Sequence, residues 1–132
     1  MAAMHKRPRL ATTYQGAVPG LLDRVLPLVD FVEVTPDSLA AVGEYGVPRI
    51  SKSILAELRD IGREAKIIVH GVGLSIGSHD EWGWDYIHLL DQIVEHVDVA
   101  WHSEHLGFTT VAGDFLGTML TLPRTEEAID LV

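Results

Sequence analysis

The sequence predicts an α/β fold built on parallel strands, the N-terminal portion of a (β/α)8 barrel with about four βα units. Three observations carry this expectation. Short apolar runs alternate with amphipathic segments along the whole chain. The runs "DFVEV", "KIIVH" and "VDVAWH" have the length and apolar character of buried strands. The 132 residues amount to about half of the 250 or so that a closed eight-unit barrel takes. The last helix has only begun at Val132, so the expectation is one truncated partial-barrel domain over 1–132, with 1–9 as a disordered leader.

The elements follow in order. Arg9–Thr13 ("RLATT") reads as an opening strand. Pro19 can open a short helix carrying Leu21, Leu22, Val25 and Leu26, which Pro27 stops. Asp30–Val34 is the next strand, and "TPDSLAAV" a turn with one helical turn after Pro36. Ser51 or Ser53 caps a helix whose apolar face is Ile54, Leu55, Leu58 and Ile61, and Gly62 interrupts it. Lys66–His70 is a buried strand. After a glycine loop, Ser78 and Glu81 stand in capping-box spacing. Tyr86, Leu89, Leu90, Ile93, Val94 and Val97 then form a helical stripe. A strand from Val97 or Asp98 to Ser103 comes next, then a loop with Gly107, Gly113 and Gly117, and a helix start at Thr125, Glu126 and Glu127.

Composition narrows the function classes. Hydrophobic residues make up 47% of the chain, enough for a core and too many for disorder. Ten Lys and Arg against nineteen Asp and Glu give a net charge of −9. Such a surface repels phosphate backbones and anionic lipid, so neither nucleic acid nor a membrane surface is an expected partner. The one basic cluster, His5-Lys6-Arg7-Pro8-Arg9, falls in the leader. The absence of cysteine excludes disulfides, thiolate catalysis and sulfur-ligated zinc, so a metal here must use imidazole, carboxylate or water. No signal-peptide pattern and no run of roughly 20 apolar residues is present, which points to a soluble, cytoplasmic protein.

The stretch "IIVHGVGLSIGS" is the chemical centre of the sequence. Gly71, Gly73 and Gly77 suggest a phosphate cradle, but a dinucleotide fingerprint needs its third glycine where Ile76 stands, and a Walker loop needs a lysine that is absent. A metal reading fits better. In parallel β/α folds the chemistry collects at the C-terminal ends of strands. His70 ends one strand, and "HSEH" brings His102, Glu104 and His105 to the end of the next. Imidazole is the commonest metal-binding side chain, and the glycines after His70 would let backbone pass close to metal or substrate.

The structural alternative stands beside it. A histidine ending a strand is commonly a hydrogen-bonded structural residue, and two histidines fall short of the three or more ligands of a catalytic metal. Period-2 alternation puts His102 on the face of Glu104 and opposite Ser103. His88 and His96 lie between stripe positions and read as solvent-exposed, while His79 belongs to the helix entry. Trp82, Trp84 and Trp101 read as packing residues, although the first two flank the glycine loop.

"HGVGLSIGS" followed by "SEHLGF", with "FVEV" upstream and "LPRTEEA" downstream, resembles the DUF692 family from Leu10 to the end of the chain. These are multinuclear non-haem iron oxidative enzymes related to the methanobactin synthase iron subunit. The resemblance implies a TIM-type barrel with two or three iron ions at its mouth. It also implies dioxygen as co-substrate, and as substrate a ribosomally made precursor peptide whose cysteine or other residues are remodelled, often with a recruiting partner protein. His70 and His105 match family iron ligands. Glu104, Glu33, Gly71, Gly73, Ser75 and His102 are the candidates for supporting those ligands or touching substrate. Glu33 and Asp37 in "FVEVTPDS" stand where many members carry a different acidic-Asn pattern, and the aromatic after S-E-H-L is displaced to Phe108.

The family's remaining ligands come from later strands, so this chain alone is expected not to assemble a redox-competent cluster. Two other readings are carried. One is a divalent-metal sugar isomerase or endonuclease-IV-like barrel, whose DNA-repair version the acidic charge disfavours. The other is a non-catalytic half-barrel with open sheet edges, prone to self-association.

Overall fold

A computed structural model of the protein describes residues 7–16, 20–43, 46–79 and 83–132. In chain order the elements are β1 (Ala11–Thr13), α1 (Leu21–Val25) running into a 3-10 turn (Leu26–Leu28), β2 (Phe31–Val34) and α2 (Pro36–Leu39). They continue with β3 (Ala40–Val42), β4 (Pro48–Ile50), α3 (Lys52–Glu64), β5 (Lys66–Gly71) and α4 (Trp84–Val94). The last are β6 (Val99–Glu104), β7 (Gly107–Val111), β8 (Asp114–Thr121) and α5 (Glu126–Leu131).

Four strands form one parallel sheet in the order β1-β2-β5-β6. Parallel neighbours need a crossover, and helices supply it: α1 between β1 and β2, α3 between β2 and β5, α4 between β5 and β6. The result is a mixed α/β architecture with a parallel sheet, as the alternating pattern predicts, and it is compatible with part of a TIM-type fold.

Alternation along the strands sends Val32, Val34, Ile67 and Val69 to one face, where they pack with Leu55, Leu58 and Ile61 of α3 and Leu89 and Ile93 of α4. Each such side chain contributes about 1.5–3 kcal/mol when fully buried. The opposite, open face carries Phe31 and Glu33 of β2 and Ile68 and His70 of β5. There the Phe31 ring meets the Trp101 ring at 4.9 Å between centroids, with the Arg9 guanidinium 5.5 Å above it.

The ladder between β5 and β6 is irregular. Ile67 pairs with Val99, but Ile68 pairs with Trp101, so Ala100 is an extra residue on β6 and the register beyond it moves by one. His70 is thereby set against Ser103, and Gly71 against Glu104.

Several local expectations hold. Ser51 Oγ caps α3 by accepting the Ile54 N–H at 3.3 Å, and Thr125 Oγ1 caps α5 by accepting from Ala128 N–H. Others are corrected. Gly62 does not interrupt α3, which runs through it to Glu64, because one glycine costs a packed helix only about 1 kcal/mol. Helix α1 does end ahead of Pro27, at Val25, and Pro27 lies in the 3-10 turn that follows, whose first positions need no N–H.

Val94 leaves the stripe and is exposed, since α4 presents Tyr86, Leu89 and Ile93 to the core. The glycine-bearing segment after β6 is no loop but the β7–β8 hairpin, and β3–β4 is a second hairpin. Ser78 does not cap α4, which begins at Trp84 after Gly83. Glu81, Trp82, Pro19 and the leader residues 1–6 lie outside the described residues. No helix among the described residues is long and apolar enough to cross a membrane.

Asp30 anchors the start of the sheet. Its carboxylate accepts the Leu10 N–H at 3.0 Å and the Arg7 guanidinium at 3.2 Å. The Leu10 N–H, ahead of the Arg7 charge, holds its pKa below the ordinary aspartate value. A lowered folded-state pKa adds stability above the unfolded value and loses it as pH falls through the folded one. Asp30→Asn is therefore expected to lower the urea midpoint at pH 7, with the difference from wild type shrinking as pH falls below the ordinary aspartate range and through the lowered folded-state value.

Candidate functional site

The C-terminal ends of β5 and β6 carry two separate polar groups, one on each face of the sheet. On the open face, the pairing of His70 with Ser103 sets their side chains side by side, and the chain continues to His105, two residues on and on the same side. The His105 N–H extends the ladder by donating to Gly71 O at 3.4 Å. His70 Nε2 lies 3.1 Å from His105 Nε2, and the ring centroids are 4.7 Å apart at 57°. His70 Nδ1 lies 2.9 Å from Ser103 Oγ. The two histidines singled out in the sequence thus meet ring nitrogen to ring nitrogen.

This separation fits two ligands of one ion. Imidazole nitrogens bound at about 2.0–2.1 Å stand about 2.8–3.4 Å apart at angles between a right angle and the tetrahedral one. Among the described residues, however, no group of three or more His, Cys, Asp or Glu is arranged to hold a metal. Glu33 shares the open face but pairs with Ile68, one level short of His70, and its carboxylate accepts the Thr13 hydroxyl at 3.4 Å.

The second group faces the helices. His102 Nε2–H donates to Glu104 Oε1 at 2.8 Å, as the alternation predicts for two residues on one face. The Tyr86 hydroxyl of α4 hydrogen-bonds the same carboxylate. Burial first, then the bond to Glu104 and the charges of Glu104 and Asp37, push the phenol above the ordinary tyrosine value, so it stays protonated and donates. Asp37, at the start of α2, accepts the Val72 N–H at 3.4 Å. Desolvation raises its pKa against the lowering effect of backbone N–H bonds from Val72 and Gly73.

This group explains the glycines. A Cβ on Gly71 would overlap the Tyr86 hydroxyl and Glu104 Oε1, and one on Gly73 would overlap Asp37 Oδ1 and the Tyr86 ring. The room they leave is filled from the helix side by Tyr86, Glu104 and Asp37. Ser75 is likewise engaged elsewhere. It is buried at φ 53°, accepts the Thr109 N–H at 2.8 Å and bonds Ser78 Oγ at 2.7 Å. Ser78 in turn donates to Thr110 O at 2.9 Å, so the two serines fasten the glycine loop to β7.

Tyr86 is the functional-region residue that sequence reasoning took for core stripe alone; the signal for it was the pair of glycines opposite. His88 is exposed, and His96 is half-buried with Nδ1–H donating to Gln92 O at 2.8 Å.

The sequence model of the family described as "RiPP precursor modification enzyme MbnB/TglH/ChrH" matches residues 15–132. A UPF0276 protein of Anaeromyxobacter sp. strain Fw109-5 is 36% identical over 105 residues, which are 80% of this chain and 34% of that protein. A UPF0276 protein of Caulobacter vibrioides is 36% identical over 111 residues, 84% of this chain and 37% of that protein. One of Rhizorhabdus wittichii is 36% identical over 104 residues, 79% and 34% respectively. The chain spans about a third of the length of these relatives. No solved structure gives a significant match.

Proposed function

Since the chain belongs to the MbnB/TglH/ChrH family of RiPP precursor modification enzymes, we propose that it forms the opening βα units of a (β/α)8 barrel that oxidatively modifies a ribosomally made precursor peptide. The observation that carries this is the approach of His70 Nε2 to His105 Nε2 at 3.1 Å, on one face and at the ends of adjacent parallel strands. In such folds those strand ends are where chemistry is housed.

His70 and His105 would hold iron, and the bound metal would supply dioxygen activation. Two imidazoles are too few for a catalytic site, so the other ligands come from beyond these βα units in the whole enzyme. The family match supports a peptide substrate over a sugar. A partner protein that delivers the peptide belongs to the same reading.

The test is made on the full-length enzyme. Iron content and oxidation of the precursor peptide are measured for wild type, His70→Ala and His105→Ala. Each substitution is expected to lower iron affinity by more than about 100-fold, beyond the 10- to 100-fold typical of residues that only support a ligand. Iron loading and turnover that survive both substitutions would sink the proposal.

A further inference from the structure

We infer that Ser103 is a positioning residue, holding His70 in the tautomer that carries its proton on Nδ1 and leaves a lone pair on Nε2. The inference deepens the proposed metal role of His70 and rests on it for its consequence. Ser103 Oγ stands within reach of two groups, His70 Nδ1 at 2.9 Å and Val69 O at 3.4 Å. A carbonyl oxygen can only accept, so both contacts are hydrogen bonds at once in a single arrangement, with the serine proton on Val69 O and the serine oxygen accepting from the ring. His70 Nδ1 must then be the donor. The neutral ring has one proton to give, so Nε2, the nitrogen turned toward His105, is bare.

The rival arrangement, His70 Nε2–H donating to His105 Nε2, would turn the serine proton to Nδ1 and leave Val69 O without it. Nε2 faces another imidazole nitrogen, which can donate to the lone pair when no ion is present or turn its own lone pair to a shared ion. A free histidine side chain in water prefers its proton on Nε2, so the protein has to impose the other form, and Ser103 is the group placed to do it. Its position depends on the β5–β6 register, which sets Ser103 directly beside His70.

The primary test reads the tautomer without metal. In the 132-residue chain with ¹⁵N-labelled histidine, the ring-nitrogen shifts of His70 are expected to show the proton on Nδ1. Ser103→Ala should move it to Nε2 with the backbone amide spectrum otherwise retained, and Ser103→Thr should restore it. A wild-type His70 with its proton on Nε2, or a tautomer unchanged in Ser103→Ala, overturns the inference. Should the alanine variant fail to fold, the wild-type tautomer decides alone.

A second arm titrates the full-length enzyme with Co²⁺. Ser103→Ala is expected to bind it 10- to 100-fold more weakly, about what losing a ligand's supporting partner costs, with Ser103→Thr near wild type. Equal affinity in Ser103→Ala and wild type counts against the positioning role. Wild-type enzyme that takes up no Co²⁺ through His70 would instead sink the metal reading, while the tautomer result still decides the role of Ser103.

Discussion

Gly71→Ala is expected to cost about 3 kcal/mol of stability, the upper end for overpacking. The added methyl has no direction in which to settle. It would overlap both the Tyr86 hydroxyl and Glu104 Oε1, and these two are bonded to each other and, through Glu104, to His102. Moving the phenol strips a donor from a carboxylate that is only 11% exposed, and moving the carboxylate breaks its bond to His102. The backbone is no freer, since Gly71 pairs with Glu104 in the ladder. Gly62→Ala provides the contrast. Its new Cβ would meet nothing closer than Ile67 Cγ1 at 3.9 Å, inside a helix. There the change should add about 0.5–1 kcal/mol by restricting the unfolded chain. Urea denaturation of the two variants beside wild type would show opposite signs; a Gly71→Ala midpoint equal to wild type would refute the packing account.

Leu58→Ala is expected to be at least as damaging, at about 4 kcal/mol, within the 2–5 usual for a buried leucine. Leu58 is fully buried at the centre of α3 and belongs to the same cluster as Val32, Ile67 and Ile93. Two of these sit on strands locked into a parallel ladder, so the hole cannot collapse by a strand moving in. A midpoint of thermal unfolding lowered by roughly 10–15 °C is the corresponding readout for a chain of this size. A shift of a few degrees would mean that α3 repacks freely over the sheet.

Much of the scaffold was legible because its signals are local. "KIIVH" is apolar on both faces and short, which suits a covered parallel strand, and the Leu55-Leu58-Ile61 spacing fixes the inner side of α3. The hairpins were not legible for a specific reason. β7 and β8 are joined by Ala112-Gly113, both at positive φ (51° and 81°), the geometry of a two-residue turn that Asn-Gly would have announced. Alanine is rare there, so the turn hid inside what read as a glycine-bearing loop.

The site divides the same way. The meeting of His70 with His105 could be anticipated because strand ends are predictable and histidine is chemically distinctive. The links from Tyr86 to Glu104 and from Asp37 to Val72 join α4 and α2 to the sheet across the layer between them, and no spacing along the chain encodes that meeting. The glycines at 71 and 73 recorded it only as missing volume.

Ala100 gives β6 a choice that its sequence leaves open. "HSEH" carries two chemically competent sides, His102 with Glu104 and Ser103 with His105. Were the ladder to continue evenly from Ile67 and Val99, His70 would stand against His102 and share its side with Glu104. The single residue inserted at Ala100 works as a shim. It turns the carboxylate inward under α4, presents hydroxyl and imidazole to His70 instead, and so sets which two histidines meet before either has a ligand to bind.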